Sequence, residues 1–405
     1  MKRIGFLVFA VFCLTLRLSA AEPSPVEAPV PPAGFEETDG AAEWQQQTDE
    51  TDPNAVLQEG LGLFGADLLE DETPGAAEDF AERSGAGELS LASIFTLSPK
   101  ELFHAVLKEA KNALQNAKGG LFAIFGTVLL CGLLDCLTLG DKQSPVGSVF
   151  ETASVLAITA SITSPVIGCI EEVSATIVDC SVFLLSYVPV MGSILTAGGM
   201  PMTAASYSAT LMFAVQLIAQ AASSVLIPLC GIFLALSLAA GLADSPGLLG
   251  IADAAKSAAT WILTFSMTVF VALLSLQTFL SGSADSVSVK ATKFLIGSFV
   301  PVVGSALSDA LSAAQGSIHL IKTTVGSFGI LVTAFTFLPI LLKTALLRLV
   351  LALASGSAEL LGAKPVCKVI KAFQNVLSIL CALILSMALL VVVSTAVLLT
   401  LGVGR

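Results

Sequence analysis

The feature that most limits the possible folds of this chain is a tract of 41 residues, 203–243, that contains no charged side chain. A comparable apolar tract covers residues 325–361. About 20 apolar residues are enough to cross the roughly 30 Å of hydrocarbon in a bilayer. With 55% hydrophobic residues and a mean hydropathy of +0.88, the chain has more apolar surface than a soluble core of 405 residues would bury. We therefore predict an all-α polytopic integral membrane protein.

The number of transmembrane helices follows from the length of the apolar runs. Nine runs are long enough. The chain is expected to begin and end outside the cytoplasm, which requires an even number of spans, so at least one run must be wrong. We predict about seven or eight helices. Pro228 and Pro339 interrupt the two longest tracts, which predicts Pro-broken or re-entrant helices there. The candidate runs lie near 119–140, 152–170, 176–198, 203–224, 225–243, 258–281, 325–342, 343–361 and 376–402.

Two stretches of the chain nearly repeat each other at an offset of about 112 residues. Tyr187–Leu195 reads YVPVMGSIL and Phe299–Leu307 reads FVPVVGSAL. The match predicts an internal duplication, with copies at about 170–281 and 282–395, as in many transporters built from two similar helical halves. Coincidence within low-complexity apolar sequence is the alternative. The sequence leaves open whether the two copies are inverted or parallel.

The N-terminal part differs from the rest in charge. Residues 1–21 have the basic start, apolar centre and small-residue end of a signal peptide, with an uncleaved anchor as the alternative. Residues 22–98 contain 18 acidic residues and one basic residue, together with many Pro and Gly. We predict a mostly disordered acidic arm outside the cytoplasm. The net charge of −12 therefore belongs to this arm and does not indicate nucleic-acid binding.

The membrane domain, 119–405, is preceded by a segment of different character. In residues 99–118, apolar residues recur at helical spacing and lysines occupy several of the remaining positions. This pattern predicts an amphipathic helix in the membrane interface. Lys364, Lys368 and Lys371 predict that the segment before the last span lies in the cytoplasm.

Candidate functional residues cluster near the second repeat copy. Small residues at every fourth position predict either close helix packing or a pore-lining face. Asp309 lies among them, and a carboxylate at membrane depth needs a partner or water, for which Lys322 and Lys293 are candidates. Pro189 and Pro301, each followed three residues later by Gly, are expected to bend their helices. The motif candidates are Pro189, Gly192, Lys293, Pro301, Gly304, Ser308, Asp309, Ser312, Gly316 and Lys322.

No motif in the sequence indicates catalysis or a cofactor. Asp135, Asp179 and Asp309 lack the neighbouring residues of intramembrane aspartyl proteases, and no Walker A motif is present. The eight cysteines form no CxxC or Cys/His cluster, so we expect thiols packed between helices and no metal site. We therefore predict that the protein is not an enzyme and binds no cofactor.

The segment Lys293–Gly304, KFLIGSFVPVVG, with Ser308-Asp309-Ala310 and Ile321–Gly326, IKTTVG, resembles the stage III sporulation protein AE family. The resemblance covers roughly residues 90–405. It implies a multipass protein of the mother-cell membrane that surrounds the forespore. With proteins of the same operon and a forespore-side partner, such a protein would form a trans-envelope channel or secretion-like complex required for late forespore development. The family supplies no catalytic residues.

Three functions remain possible from the sequence. The first is a conducting subunit of a multi-protein channel. The second is a self-sufficient secondary transporter that uses Asp309 or Asp135 for ion coupling. The third is a membrane scaffold without a conduit. The duplication fits both of the first two.

Overall fold

The computed structural model describes residues 53–84, 89–91, 99–137, 145–243, 246–299 and 304–400. These residues are helical apart from short turns. Residues 60–405 form one unit, and of residues 1–59 only 53–59, at the start of α1, are described. The helices are α1 (Pro53–Leu63), α2 (Leu68–Asp71), α3 (Gly75–Ser84), α4 (Pro99–Leu137), α5 (Pro145–Ala197), α6 (Pro201–Ala221), α7 (Ile227–Ala243), α8 (Pro246–Phe299), α9 (Gly304–Leu360) and α10 (Lys364–Thr400).

The prediction of an all-α protein with several membrane-spanning helices is confirmed, but the count is lower. The described residues contain five helical stretches long and apolar enough to cross a membrane, and α4 adds a shorter apolar segment, Phe122–Leu133. Three pairs of predicted spans merge into single stretches, because the helices continue past the charged residues and prolines that divided the apolar runs. The five stretches are Val149–Ala197, Pro201–Ala240, Gly250–Gln277, Ala313–Leu360 and Lys364–Thr400.

The prolines that were expected to break the two longest tracts are accommodated within helices. Between α6 and α7 the chain forms a π-helical turn, Ala222–Leu226, in which the N–H of Ile227 donates to the carbonyl of Ala222. In a regular helix the ring of Pro228 would collide with the carbonyl four residues earlier, and the wider turn relieves that contact. Pro339 lies inside α9, and Pro165 and Pro189 lie inside α5.

Part of the acidic arm is folded, which corrects the prediction of disorder for these residues. Residues 53–84 form α1 to α3, and Leu69 and Phe80 are completely buried. The ring of Phe80 meets the ring of Phe335 on α9 edge to face, with centroids 4.6 Å apart. Arg83 of α3 also lies 3.8 Å from the carboxylate of Glu109 on α4. The few apolar residues of this segment are too sparse for the sequence alone to predict that it folds. In the structure, one of them, Phe80, packs against Phe335 on α9.

Replacing Phe80 with alanine should release α3 from α9. Removal of a buried phenylalanine side chain costs about 3 kcal/mol or slightly more, which raises the open population about 100-fold, since each 1.4 kcal/mol is a factor of ten. Tryptic cleavage at Arg83 in detergent-solubilised protein should accelerate accordingly. Leu63→Ala is the matched control, because Leu63 is 79% exposed and its removal should leave cleavage unchanged. Equal cleavage rates for the two variants would contradict the packing of α3.

Helix α4 begins at Pro99, as predicted for the amphipathic segment, but continues without a break to Leu137. Its apolar residues Phe103, Leu107 and Leu114 are 45–65% exposed, whereas Ala105 and Glu109 are buried. The predicted apolar face therefore points away from the rest of the chain. Such a face suits lipid, and the interfacial position of residues 99–118 stays a prediction.

Helices α5, α9 and α10 pack against one another, α6 lies against α5 and α10, and α8 lies across α6 and α7. Tight turns join α5 to α6 and α9 to α10, where Gly199 and Gly362 adopt φ of 79° and 76°. A positive φ suits glycine because it lacks a Cβ atom. Pro301 lies outside the described residues, so the internal duplication also stays a prediction.

Candidate functional site

Lys322 is the most deeply buried charged side chain in the described part of the chain, with 1% exposure. It lies on α9, and its Nζ donates a hydrogen bond of 3.3 Å to the carbonyl of Leu398 on α10. Leu398 lies in the last described turn of α10, which extends to Thr400. Lys322 therefore joins α9 to this turn of α10.

Deeper in the bundle, the only two tyrosines of the chain meet at one place. The hydroxyl of Tyr207 on α6 lies 3.3 Å from Oγ1 of Thr395 on α10, and both residues are buried. The Tyr187 hydroxyl lies near both groups but makes no hydrogen bond within the described residues. Its ring stacks on Phe183 at 5.7 Å and covers Gly329 of α9. Four helices are held together at this tyrosine layer, which we define as Tyr187, Tyr207, Thr395 and Gly329.

The start of α6 is fixed by a carboxylate from α8. Asp285 is 4% exposed, and its oxygens accept hydrogen bonds from the backbone N–H groups of Met202 (3.1 Å) and Thr203 (2.7 Å). These N–H groups belong to the first turn of α6, where a helix has no internal acceptors and favours negative charge. Asp285 therefore joins α6 to α8 and sets their register.

A second group of charges lies on the surface, halfway along α5 and α9. Glu172 of α5 forms an ion pair with Lys343 of α9, and the two side chains are 42% and 53% exposed. Glu171 and Arg348 are exposed beside them. A groove of about 620 Å³ runs along α5 toward Glu171, lined by Ala160, Thr163, Ser164, Ile167, Gly168 and Glu171.

The structure describes the surroundings of only four of the residues that the sequence predicted as functional, Pro189, Gly192, Gly316 and Lys322. Pro189 is exposed within α5, while Gly192 allows α5 and α6 to approach, since a Cβ there would lie 2.9 Å from Oγ of Ser208. Gly316 is exposed with nothing within 4 Å of a Cβ position, so this end of the small-residue stripe packs against no helix in the described structure. Among the candidates, Pro301 and the side chains of Lys293, Ser308, Asp309 and Ser312 lie outside the described residues, as does the environment of Gly304.

Sequence analysis missed several residues of this region, namely Tyr207, Asp285, Glu172, Lys343 and Gly329. Some carried a usable signal. Glu172 and Lys343 are charges inside long apolar tracts, and two tyrosines in so apolar a chain are natural hydrogen-bonding groups between helices. Gly329 carried no signal, because only the fold shows which glycine faces a ring.

Lys322, Asp285 and the tyrosine layer form hydrogen bonds between helices, and these bonds fix helix register. Comparisons with known proteins point to one family. A family model described as stage III sporulation protein AE matches residues 87–402. The stage III sporulation protein AE of Bacillus subtilis (strain 168) is 22% identical over 380 residues, which cover 91% of both chains. No solved structure matches the chain.

Proposed function

The chain belongs to the stage III sporulation protein AE family, and from this premise we propose that it is the membrane subunit of a sporulation-specific channel complex. The complex connects mother cell and forespore and is required for late forespore development. The subunit lies in the mother-cell membrane around the forespore, with its N-terminal arm outside the cytoplasm. Its partners are proteins of the same operon and a forespore-side protein. It acts without catalysis and without a cofactor.

One observation carries this proposal. The family match extends over almost the whole membrane part of the chain, including all five helical stretches that are able to cross a bilayer. Membership therefore concerns the membrane domain itself and not an accessory segment. The half-exposed charges of Glu172 and Lys343 among apolar helices also favour a surface that meets water or protein over one that meets lipid alone.

The test is a deletion of the gene in a sporulating host, complemented by the tagged full-length chain. Loss of the protein should halt development after engulfment and reduce heat-resistant spores to background, with late forespore reporters silent. The tagged chain should restore both and should co-purify with the other membrane proteins of its operon. Normal late reporter expression in the deletion strain would contradict the proposed function.

The rival function, a self-sufficient secondary transporter, makes a different prediction for the purified protein in liposomes. Solute uptake driven by a proton or sodium gradient, with no partner present, would favour the transporter. Its proposed coupling groups, the Asp135 and Asp309 carboxylates, lie outside the described residues. We therefore favour the channel subunit on the family match alone.

A further inference from the structure

The tyrosine layer allows heights along the bundle to be compared between helices. Helices α5 and α9 are antiparallel, because Glu172 pairs with Lys343 while Tyr187 covers Gly329. Helix α6 follows α5 through a tight turn, so α6 and α9 run in the same direction. Phe335 lies six residues after Gly329, and Phe213 six residues after Tyr207. Both are therefore about 9 Å from the tyrosine layer at 1.5 Å per residue, at the same height.

At this height, one side of the molecule is charged. Phe335 is covered by Phe80 of α3, whose other side exposes Glu78, Asp79 and Glu82. Asp179 of α5 is also exposed, eight residues before Tyr187 and therefore about 12 Å from the tyrosine layer in the same direction. The Glu172–Lys343 pair lies further along the same two helices. We define the charged flank as α3 with Asp179, Glu172 and Lys343.

At the same height, α6 and α8 present only apolar and small polar residues. Phe213 of α6 is 56% exposed, and Val271 of α8 is 54% exposed. The contact between Asp285 and Met202 sets the register of these two helices. Val271 lies 14 residues before Asp285 on α8, and Phe213 lies 11 residues after Met202 on α6, so the two side chains are at a similar height. No charged residue occurs in α6 or between Lys256 and Asp285. We define this surface of α6 and α8 as the apolar flank.

The two flanks require different solvents. A single charged side chain at the bilayer centre costs about 2.5–3.5 kcal/mol on insertion scales. The charged flank exposes at least four carboxylates around Phe335 and Asp179, so its contact with hydrocarbon is strongly unfavourable. The apolar flank is suited to hydrocarbon over the same length. A bundle lying wholly in water or wholly in lipid at this height does not explain both surfaces.

We propose that the charged flank faces water at membrane depth and lines the aqueous passage of the assembled complex, while α6 and α8 face lipid. The assignment of water to this flank rests on its exposed carboxylates beside helices long and apolar enough to cross a bilayer. The assignment of that water to a passage rests on the proposed channel function. It identifies α3, α5 and α9 as the wall of the conduit and makes the wall predominantly acidic near Phe335.

Cysteine accessibility at matched heights tests this assignment. Asp179→Cys and Glu82→Cys place thiols on the charged flank, and Phe213→Cys and Val271→Cys place them on the apolar flank. The six described native cysteines are buried, so the unmodified chain supplies the background. The full chain is produced in a non-sporulating host, and membrane vesicles are treated with a charged maleimide. Thiolates form in water, so the charged flank should react about ten-fold faster or more.

The same variants are then labelled in membranes from sporulating cells. Continued reaction at Asp179→Cys supports an aqueous passage. Protection there, after reaction in the isolated chain, means that a protein partner covers the flank and overturns the passage. Equal rates on both flanks in vesicles overturn the flank assignment itself, whether both are fast or both are slow. Labelling in vesicles does not depend on spore formation. It therefore tests the flank assignment even if the deletion strain shows that the proposed function is wrong.

Discussion

Replacing Gly329 with leucine is expected to prevent assembly of the helix bundle, so that the variant fails to accumulate in membranes. A Cβ atom at Gly329 would overlap the Tyr187 ring and lie within 2.7 Å of its hydroxyl oxygen. Tyr187 is completely buried and stacked on Phe183, so its ring has no free space into which to turn. Extra carbons in a packed core cost about 1–3 kcal/mol and occasionally more. Four carbons between two long helices should reach or exceed the upper end of that range.

Gly356→Leu is the matched control for this prediction. Gly356 lies on the same helix, is exposed, and has nothing within 4 Å of a Cβ position. Leucine there should favour the helix by somewhat less than the about 0.8–1 kcal/mol that separates alanine from glycine, and it should preserve accumulation. Membrane abundance and the thermal melting of detergent-solubilised protein measure both variants.

A rescue experiment separates the contact with Tyr187 from a general defect. Gly329→Ala alone should destabilise the protein, and Tyr187→Leu alone should leave a cavity. The double variant should be more stable than the sum of the two changes predicts, since the shortened side chain makes room for the new methyl group. A coupling energy of about 0.5–3 kcal/mol is typical of residues in contact. Strict additivity, or full stability of Gly329→Leu, would show that α5 and α9 are not packed as described.

The sequence predicts the fold class and the start of α4 well, because both depend on local patterns. Mean hydropathy identifies membrane helices, and Pro99 followed by apolar residues at helical spacing identifies a helix start. The number of helices is less predictable. Glu171 and Glu172 divide a hydropathy profile, yet the backbone of α5 continues through them.

Features that depend on distant parts of the chain were harder to predict. Phe80 is an isolated aromatic residue in an acidic segment, and its packing against Phe335 of α9 explains why this part of the segment folds. The small-residue stripe stays a prediction at Gly304, Ser308 and Ser312, because spacing alone shows that a helix is able to approach without showing which helix does. Gly316 is open, and Gly329 carries the contact. Lys322 was singled out as a candidate partner of Asp309, whereas its observed acceptor, the Leu398 carbonyl of α10, has no sequence signature.

Replacing Lys322 with glutamate is expected to abolish accumulation of the protein. The new carboxylate would be buried beside the carbonyl of Leu398, which is also an acceptor, so an attractive contact becomes a repulsive one. Leaving a buried charge uncompensated costs about 3–5 kcal/mol. Lys364→Glu is the matched control, since Lys364 is exposed at the first residue of α10, where an acid is favourable. That variant should accumulate normally.

Lys322→Met then distinguishes packing from a direct role of the charge. Methionine keeps most of the side-chain volume, and apolar replacement of a buried charged group is often neutral or stabilising. Because the Lys322 ammonium is enclosed by protein and lies away from the charged flank, we expect this variant both to accumulate and to support spore formation. Membrane abundance and heat-resistant spore counts are measured in parallel. A variant that accumulates normally but forms no spores would show that the ammonium group itself acts in the complex, and that Lys322 does more than join α9 to α10.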